Sequence, residues 1–385
     1  MILKNIKIIN FRNYKKLELA LNEKVNIIYG HNGAGKTNIL ESIYFLALTK
    51  SHRTHLDSTL IKNEEEKAVI KGTLQKEISY NLEIILNENK KTVKIDNKKE
   101  GKISSYIEKM NVIIFSSEDL ELIKGSPKER RKYIDLQLSQ LSSNYYNVLN
   151  DYEKLIKIRN EELKKMNNHE HTDLNYFNIL NDYIINKSVF IYQMRKKYIE
   201  KLNEISPKIF EEISGLKKFN IKYKPSIEID IFDKDKIKER LKKELIENLE
   251  KEVSAKMTLY GPHRDDFEFC IGIDNLKEFG SQGQQKMAVI ALKLSEIEIF
   301  NNYKNTSPII LLDDVFSDLD SIKKNNLLKH INKKMQVIIT TTDLENIDKR
   351  LLKKAKLINI EKGKIINEEV RQWKKNIIMN PISKY

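Results

Sequence analysis

The residues Gly30-His31-Asn32-Gly33-Ala34-Gly35-Lys36-Thr37 have the types and spacing needed to hold a triphosphate. Glycines let backbone N–H groups close around phosphate oxygens without side-chain interference. Lys36 brings a compact positive charge to the outer phosphates, and the Thr37 hydroxyl is a ligand for Mg²⁺. Asn38 continues the same stretch. Far along the chain, Asp313 and Asp314 follow the apolar run Ile309-Ile310-Leu311-Leu312. A buried strand that delivers an acid at its tip is how phosphate-loop enzymes hold magnesium, so Asp313 is the candidate metal ligand. Asp314 is then placed to polarise an attacking water. Between these groups lies Phe279-Gly280-Ser281-Gln282-Gly283-Gln284-Gln285. It combines a hydroxyl, a bare glycine backbone and the start of a helix, all donors suited to a γ-phosphate.

Each group needs an element to aim it. Leu3 to Phe11 largely alternates apolar and polar residues, and Val25 to Tyr29 is a short apolar run ending at Gly30; both read as strands. Leu40, Ile43, Tyr44, Ala47 and Leu48 recur at helical spacing, which predicts a helix starting near Lys36 with its positive end toward the loop. Residues 66 to 96 return to strand patterns, with Lys90-Lys91 as a turn. Met287, Ala288, Ile290, Ala291, Leu294 and Ile297 predict an amphipathic helix after Gln285, and Ile309 to Leu312 and Val337 to Thr340 read as buried strands. From about Ser126 to Leu249 the chain is charged and helical in pattern, with Pro207 and Pro225 as breaks and a polar loop at His169 to Asn175. Tyr146, Leu149, Tyr152, Leu155 and Ile156 suit packed amphipathic helices, and no heptad run is sustained enough for an extended coiled coil. The expectation is an α/β head formed by both chain ends (1–125 and 251–385) with a mostly helical arm, 126–250, inserted between them.

The chain has 385 residues and a formal charge of +14. A basic balance suits a polyanionic partner such as nucleic acid, although lysine enrichment here runs through the whole chain. Only ten of the 69 basic residues are arginines, and Arg12, Arg53, Arg130, Arg131, Arg159 and Arg264 fall in or near motifs, as expected where a planar multidentate fork is needed. The single cysteine, Cys270, cannot form an internal disulfide and suits a reducing compartment. Apolar runs such as Val112 to Phe115 fall far short of the roughly 20 residues of a membrane helix, so a cytoplasmic location without membrane association is expected. His263 has no second ligand at zinc spacing, and no structural metal is expected.

The Ser281 motif resembles the signature of ABC-type ATPases, in which that serine, the glycine backbone and the helix start face the γ-phosphate on the opposite protomer. Ser317-Asp318-Leu319-Asp320 resembles the accompanying D-loop. The chain as a whole resembles the RecF family of bacterial recombination-repair ATPases, which have an SMC-like head and a short arm. The resemblance rests on Asn10-Phe11-Arg12-Asn13-Tyr14, the phosphate loop, Ser51-His52-Arg53-Thr54, Phe115-Ser116-Ser117-Glu118-Asp119-Leu120, Lys124 to Arg131, Gly261 to Asp266 and Leu312 to Ser317.

That resemblance implies an ATP-dependent homodimer that binds double-stranded DNA at gaps and works with RecR and RecO to load RecA in replication restart, recombinational repair and the SOS response. It implies a weak, DNA-stimulated ATPase without nuclease or helicase activity. The nucleotide-binding set becomes Gly30 to Asn38, Arg53, Ser281, Gln282, Gly283, Gln284 and Asp313, with Lys36 and Asp314 catalytic and Thr37 and Asp313 on magnesium.

Departures from the broader ABC pattern are an aspartate, Asp314, where a glutamate is usual, no glutamine near Ser116-Ser117, and Thr341-Thr342-Asp343 in place of a switch histidine. The shorter Asp314 implies slow hydrolysis. Gly261 to Asp266 reads as a structural element or a head–arm junction. A transporter ATPase subunit, an SMC-type chromosome clamp and a generic nucleotide switch are the competing readings. The first lacks such a helical segment, the second needs far longer heptad arms, and the third would show no DNA binding.

Overall fold

The computed structural model describes residues 1–370 apart from 89, 316–323, 325–328, 330, 332–334, 346 and 348. The Ser317 to Asp320 motif and the chain beyond residue 370 lie outside the described residues.

An antiparallel sheet gathers β1 (Ile2–Phe11), β2 (Tyr14–Ala20), β4 (Lys67–Gln75), β5 (Ser79–Asn87), β6 (Lys90–Ile95) and β7 (Lys98–Lys99) in the order β2-β1-β4-β5-β6-β7. A second sheet runs β15-β14-β3-β13-β12-β8, from β3 (Val25–Tyr29), β8 (Val112–Phe115), β12 (Ile309–Asp313), β13 (Val337–Thr341), β14 (Ala355–Glu361) and β15 (Lys364–Val370). It is parallel except for its β15 edge, so its strands come from both ends of the chain. Buried on both faces, β3, β12 and β13 are the largely apolar runs that a covered parallel sheet requires.

Period-two alternation divides these strands between two cores. Ile28, Ile114, Leu311 and Ile338 face α1 (Lys36–Leu48), the short α2 (Ile103–Ile107) and the antiparallel sheet. Ile27, Phe115, Leu312 and Ile339 face α10 (Gln282–Lys304) and the helices of the insertion. These helices are α4 (Pro127–Leu141), α5 (Ser143–Asn167), α6 (Leu174–Ser214), α7 (Lys234–Glu247) and α8 (Leu249–Ala255), preceded by the one-turn α3 (Glu121–Lys124). A third sheet, β11-β10-β9, sets β10 (Asp266–Ile271) between β9 (Phe219–Lys224) and β11 (Asp274–Asn275), joining chain on both sides of residue 250; α9 (Leu276–Phe279) follows it.

Three local expectations change. Lys90 and Lys91 are not a turn: they open β6, paired with Asn87 and Leu86, and Lys91 is tied to Asp57 at 2.6 Å. Pro207 is not a break but lies inside the 41-residue α6. Burial of Leu202, Ile209 and Phe210 around it outweighs a proline penalty of about 3 kcal/mol. The loop after α5 stops at Asp173, whose carboxylate caps α6 by accepting from the N–H groups of Asn175 and Tyr176 at 2.9 and 3.1 Å.

Candidate nucleotide site

β3 ends at the phosphate loop, and β12 ends at Asp313 two strands away, with β13 between them. Register brings the two tips together. Thr340 pairs with Ile28 on one side and with Asp313 on the other. The Asp313 Oδ1 atom accepts from the Thr37 hydroxyl at 3.0 Å and from the Thr340 hydroxyl at 2.6 Å. Burial raises the Asp313 pKa; the hydroxyls of Thr340 and Thr37 and the charge of Arg53 oppose that rise. A desolvated carboxylate beside a threonine hydroxyl is a hard-oxygen set that suits Mg²⁺.

The loop has no slack for side chains where it meets the protein. Gly30 has φ +151°, and a Cβ there would sit 2.1 Å from the Ile360 carbonyl oxygen. Gly35 has φ +106°, with the Tyr14 hydroxyl at 2.6 Å from such a Cβ. Gly33 faces open space at φ +78°, so its glycine is required by backbone conformation alone. His31, Asn32 and Gly33 are exposed while Ala34 is buried. The N-cap of α1 is Gly35, which has no side chain to cap it, so the positive helix end suits an anion. Lys36 Nζ donates to the Gly30 and His31 carbonyls at 2.7 and 2.9 Å. Burial lowers the Lys36 pKa, and Asp314 and Asp313 pull it back up.

A second ring of side chains, only part of it foreseen, fixes this loop. Glu41, fully buried on α1, accepts from Arg12 Nε and Nη2 at 2.9 and 2.7 Å and from the Ser51 hydroxyl at 2.6 Å. Burial pushes the Glu41 carboxyl up, but the bonds from Arg12 and Ser51 and the charge of Arg12 outweigh it, and its pKa stays below the usual value. Arg53 reaches Asn38 Oδ1 at 3.1 Å, Glu41 at 3.5 Å and Glu118 at 3.8 Å. The Asn10-to-Tyr14 block and the Ser51-to-Thr54 block are therefore both clamped to the first turns of α1. Tyr14 donates to the Gly35 carbonyl at 3.0 Å, and Asn38 to Asn13 at 2.8 Å.

Asp314 turns out of β12 in the left-handed region (φ +53°), its N–H donating to the Thr340 hydroxyl at 3.2 Å. Its side chain is exposed. Asp313 and Asp314 line a cleft of about 300 Å³ shared with Ser116, Ser117, Gln282 and Lys286. Just before Gln282, Ser281 caps α10: its hydroxyl accepts from Gln284 N–H at 3.3 Å, and Gln284 accepts in return from Ser281 N–H at 2.8 Å. Ser281, Gln282 and Gly283 are exposed and Gln284 is half-buried. A Cβ on Gly283 would meet only the Ser281 hydroxyl, at 4.0 Å. A larger cleft, about 700 Å³, opens beside Arg53 toward α4 and α5 and does not include the phosphate loop.

The Gly261-to-Asp266 block is a junction. Arg195 of α6 is buried and bonds Asp135 of α4 at 3.0 and 2.9 Å, Asp265 at 2.8 Å and the Pro262 carbonyl at 2.6 Å. Arg130 holds Asp266 through two bonds of 2.6 and 2.9 Å. His263 bonds the Tyr152 hydroxyl at 2.5 Å and the Thr258 carbonyl at 3.1 Å. Arg195, Glu41 and Thr340 were not singled out from sequence, whereas Arg12 and Arg53 were, by the scarcity of arginine and by the motifs that carry the family resemblance.

The model of the family described as RecF/RecN/SMC N terminal domain matches residues 2–365. The DNA replication and repair protein RecF of Bacillus cereus (strain G9842) is 40% identical over 368 residues, covering 95% of this chain and 98% of that one. That of Bacillus thuringiensis (strain Al Hakam) shows the same identity and coverage. A solved structure of the recombination mediator protein RecF-ATP in the RecFOR pathway superposes with a TM-score of 0.89 at 32% identity, covering 96% of this chain and 98% of that one. The Smc head domain of Pyrococcus furiosus shares the fold at a TM-score of 0.52 and 14% identity. With an ABC-type ATPase head assembled from both chain ends around a helical insertion, the chain belongs to the RecF family of DNA replication and repair proteins.

Proposed function

We propose that this chain is an ATP-dependent, dimerising DNA-binding protein whose two copies close head to tail, each completing the other's nucleotide site. The observation that carries this reading is the exposed N-terminus of α10. Gly283 lies in the first turn of α10, and among the described residues a Cβ there would meet only the Ser281 hydroxyl, at 4.0 Å, so no described contact calls for glycine. Ser281, Gln282, Gly283 and Gln284 thus offer a hydroxyl, a bare backbone and a positive helix end to something arriving from outside. A second copy bearing ATP on its own phosphate loop fits that description.

In the closed pair, Gly30 to Gly35 wrap the phosphates, Lys36 and Arg53 neutralise them, and Asn38 steadies Arg53. Thr37 and Asp313 would hold a magnesium ion, which would supply charge neutralisation to the triphosphate. Asp314 orients and polarises the attacking water. One methylene shorter than glutamate, it supports slow, regulatory hydrolysis rather than fast turnover. Relatives named as DNA replication and repair protein RecF, and a RecF structure described as a recombination mediator in the RecFOR pathway, support a role in recombinational repair. On this reading the chain acts in the cytoplasm at gapped double-stranded DNA, with RecR and RecO as partners in loading RecA. The formal charge of +14 supports backbone contact with DNA.

The test is a gel shift on gapped and blunt duplexes with and without ATP, across salt concentrations. Tighter binding to gapped DNA with ATP, falling steeply with salt, is expected. Binding indifferent to ATP and salt overturns the proposal.

A further inference from the structure

We propose that the larger cleft beside Arg53 is a second phosphate-binding site, separate from the phosphate loop, in which Lys50 and the first turns of α4 hold the phosphate of a nucleotide unit. The inference does not depend on two copies meeting. Where that unit belongs to a DNA strand, it names contacts that the DNA-binding reading leaves open.

α4 opens against the rule for helix ends. Pro127 to Lys132 carries Lys128, Arg130, Arg131 and Lys132 against one acid, Glu129. Cations are unfavourable beside the positive end of a helix, where acids are preferred. Arg130 has a reason to be there, since it clamps Asp266 and donates to the Gly125 carbonyl. The others meet no carboxylate. Arg131 donates to the Asp265 carbonyl at 2.6 Å, and Lys132 Nζ lies 3.0 Å from Nδ1 of the His55 ring. Lys50, on the loop after α1, lines the same cleft. Among the described residues, Lys50, Lys128, Arg131 and Lys132 form no ion pair. Burial lowers the Lys132 pKa; Glu129 opposes this, and the neighbouring charges of Lys50 and Lys128 lower it further.

The acids on the walls are largely committed. Asp119 is bound to Lys293 at 2.6 Å and Asp135 to Arg195 at 2.9 Å, and Glu118 lies 3.8 Å from Arg53. Glu121, Glu129 and Glu153 remain against the four cations, and burial raises the Glu153 pKa, so the balance is positive. The same cleft has an apolar lining in Leu136, Tyr146 and Leu149, all half-buried. Its volume of about 700 Å³ admits a nucleotide. Cations with an aromatic ring among them suit a nucleotide, its phosphate on the lysines and its base against the ring.

Lys50 and Lys128 are exposed, so the double variant Lys50→Glu, Lys128→Glu should keep its melting temperature. The phosphate loop is first saturated with non-hydrolysable ATP and Mg²⁺. Affinity for a labelled oligothymidylate, read by fluorescence anisotropy, should then fall about tenfold or more, and the slope of log affinity against log salt by about 1.4, at about 0.7 for each of two phosphate contacts. Lys234→Glu, Lys236→Glu on α7 makes the same charge change at exposed positions outside the cleft, and should leave both readings unchanged. A loss confined to thymidine monophosphate, by isothermal titration, assigns the site to a free nucleotide instead of a strand. Equal behaviour of the two variants, or no loss with either ligand, overturns the site and leaves DNA binding elsewhere on the chain untouched.

Discussion

Replacing Glu296 by glutamine isolates one buried charge. Glu296 lies on α10 with no exposed surface, and its Oε1 accepts from the Tyr198 hydroxyl of α6 at 3.0 Å. Burial pushes its pKa from about 4.5 up to about 8, against the opposing pull of Tyr133, Lys293 and Tyr198. Lys293 itself is committed to Asp119 at 2.6 Å. The folded protein therefore keeps the Glu296 proton in a range where the unfolded chain has released it. The native state binds the extra proton, so wild-type stability falls as pH rises above about 4.5 and levels off above about 8. Within that window the slope is about 1.4 kcal/mol per pH unit. Glu296→Gln carries no proton to lose and keeps an acceptor for Tyr198. Against wild type it should gain about 3 kcal/mol between pH 5.5 and 7.5. Urea unfolding of both proteins at several pH values measures this, and taking the difference cancels every other titrating group, including Asp265. A difference that stays flat across the window refutes the buried, protonated carboxyl.

Other outcomes follow from the same geometry. Gly30→Ala should abolish ATP binding by isothermal titration, since its Cβ would lie 2.1 Å from the Ile360 carbonyl oxygen, at a φ that L residues rarely adopt. Arg195→Met leaves the fully buried Asp265 and the largely buried Asp135 without their cation, and should cost about 3–5 kcal/mol by chemical denaturation. Asp314→Asn keeps a residue tolerant of φ +53° and should accumulate an ATP-bound dimer with turnover lost, read by light scattering and phosphate release.

What the sequence made legible was contiguous or locally patterned. The phosphate loop is one unbroken string between a strand and a helix, Asp313 ends an apolar run, and Ser281 with Gln284 is a capping box ahead of a periodic helix. What stayed hidden depends on partners distant in sequence. Glu41 looks like an ordinary polar position on α1, yet it is buried because Arg12 and Ser51 reach it. Thr340 matters only because β13 lies between β3 and β12, an order of strands that no local pattern gives. Arg195 meets Asp135 and Asp265 across three separate elements. Pro207 misled because local propensity was read without the burial that overrides it.

Mixing two disabled proteins tests the shared site most directly. Lys36→Met disables a copy's own phosphate loop, and Ser281→Arg disables what that copy offers its neighbour. Each alone should lack turnover. In a mixed dimer one pocket joins an intact loop to an intact Ser281, so an equimolar mixture should recover about a quarter of wild-type ATP hydrolysis, since half the dimers are mixed and each has one working pocket. A mixture as inactive as its components would contradict a site completed by the second copy.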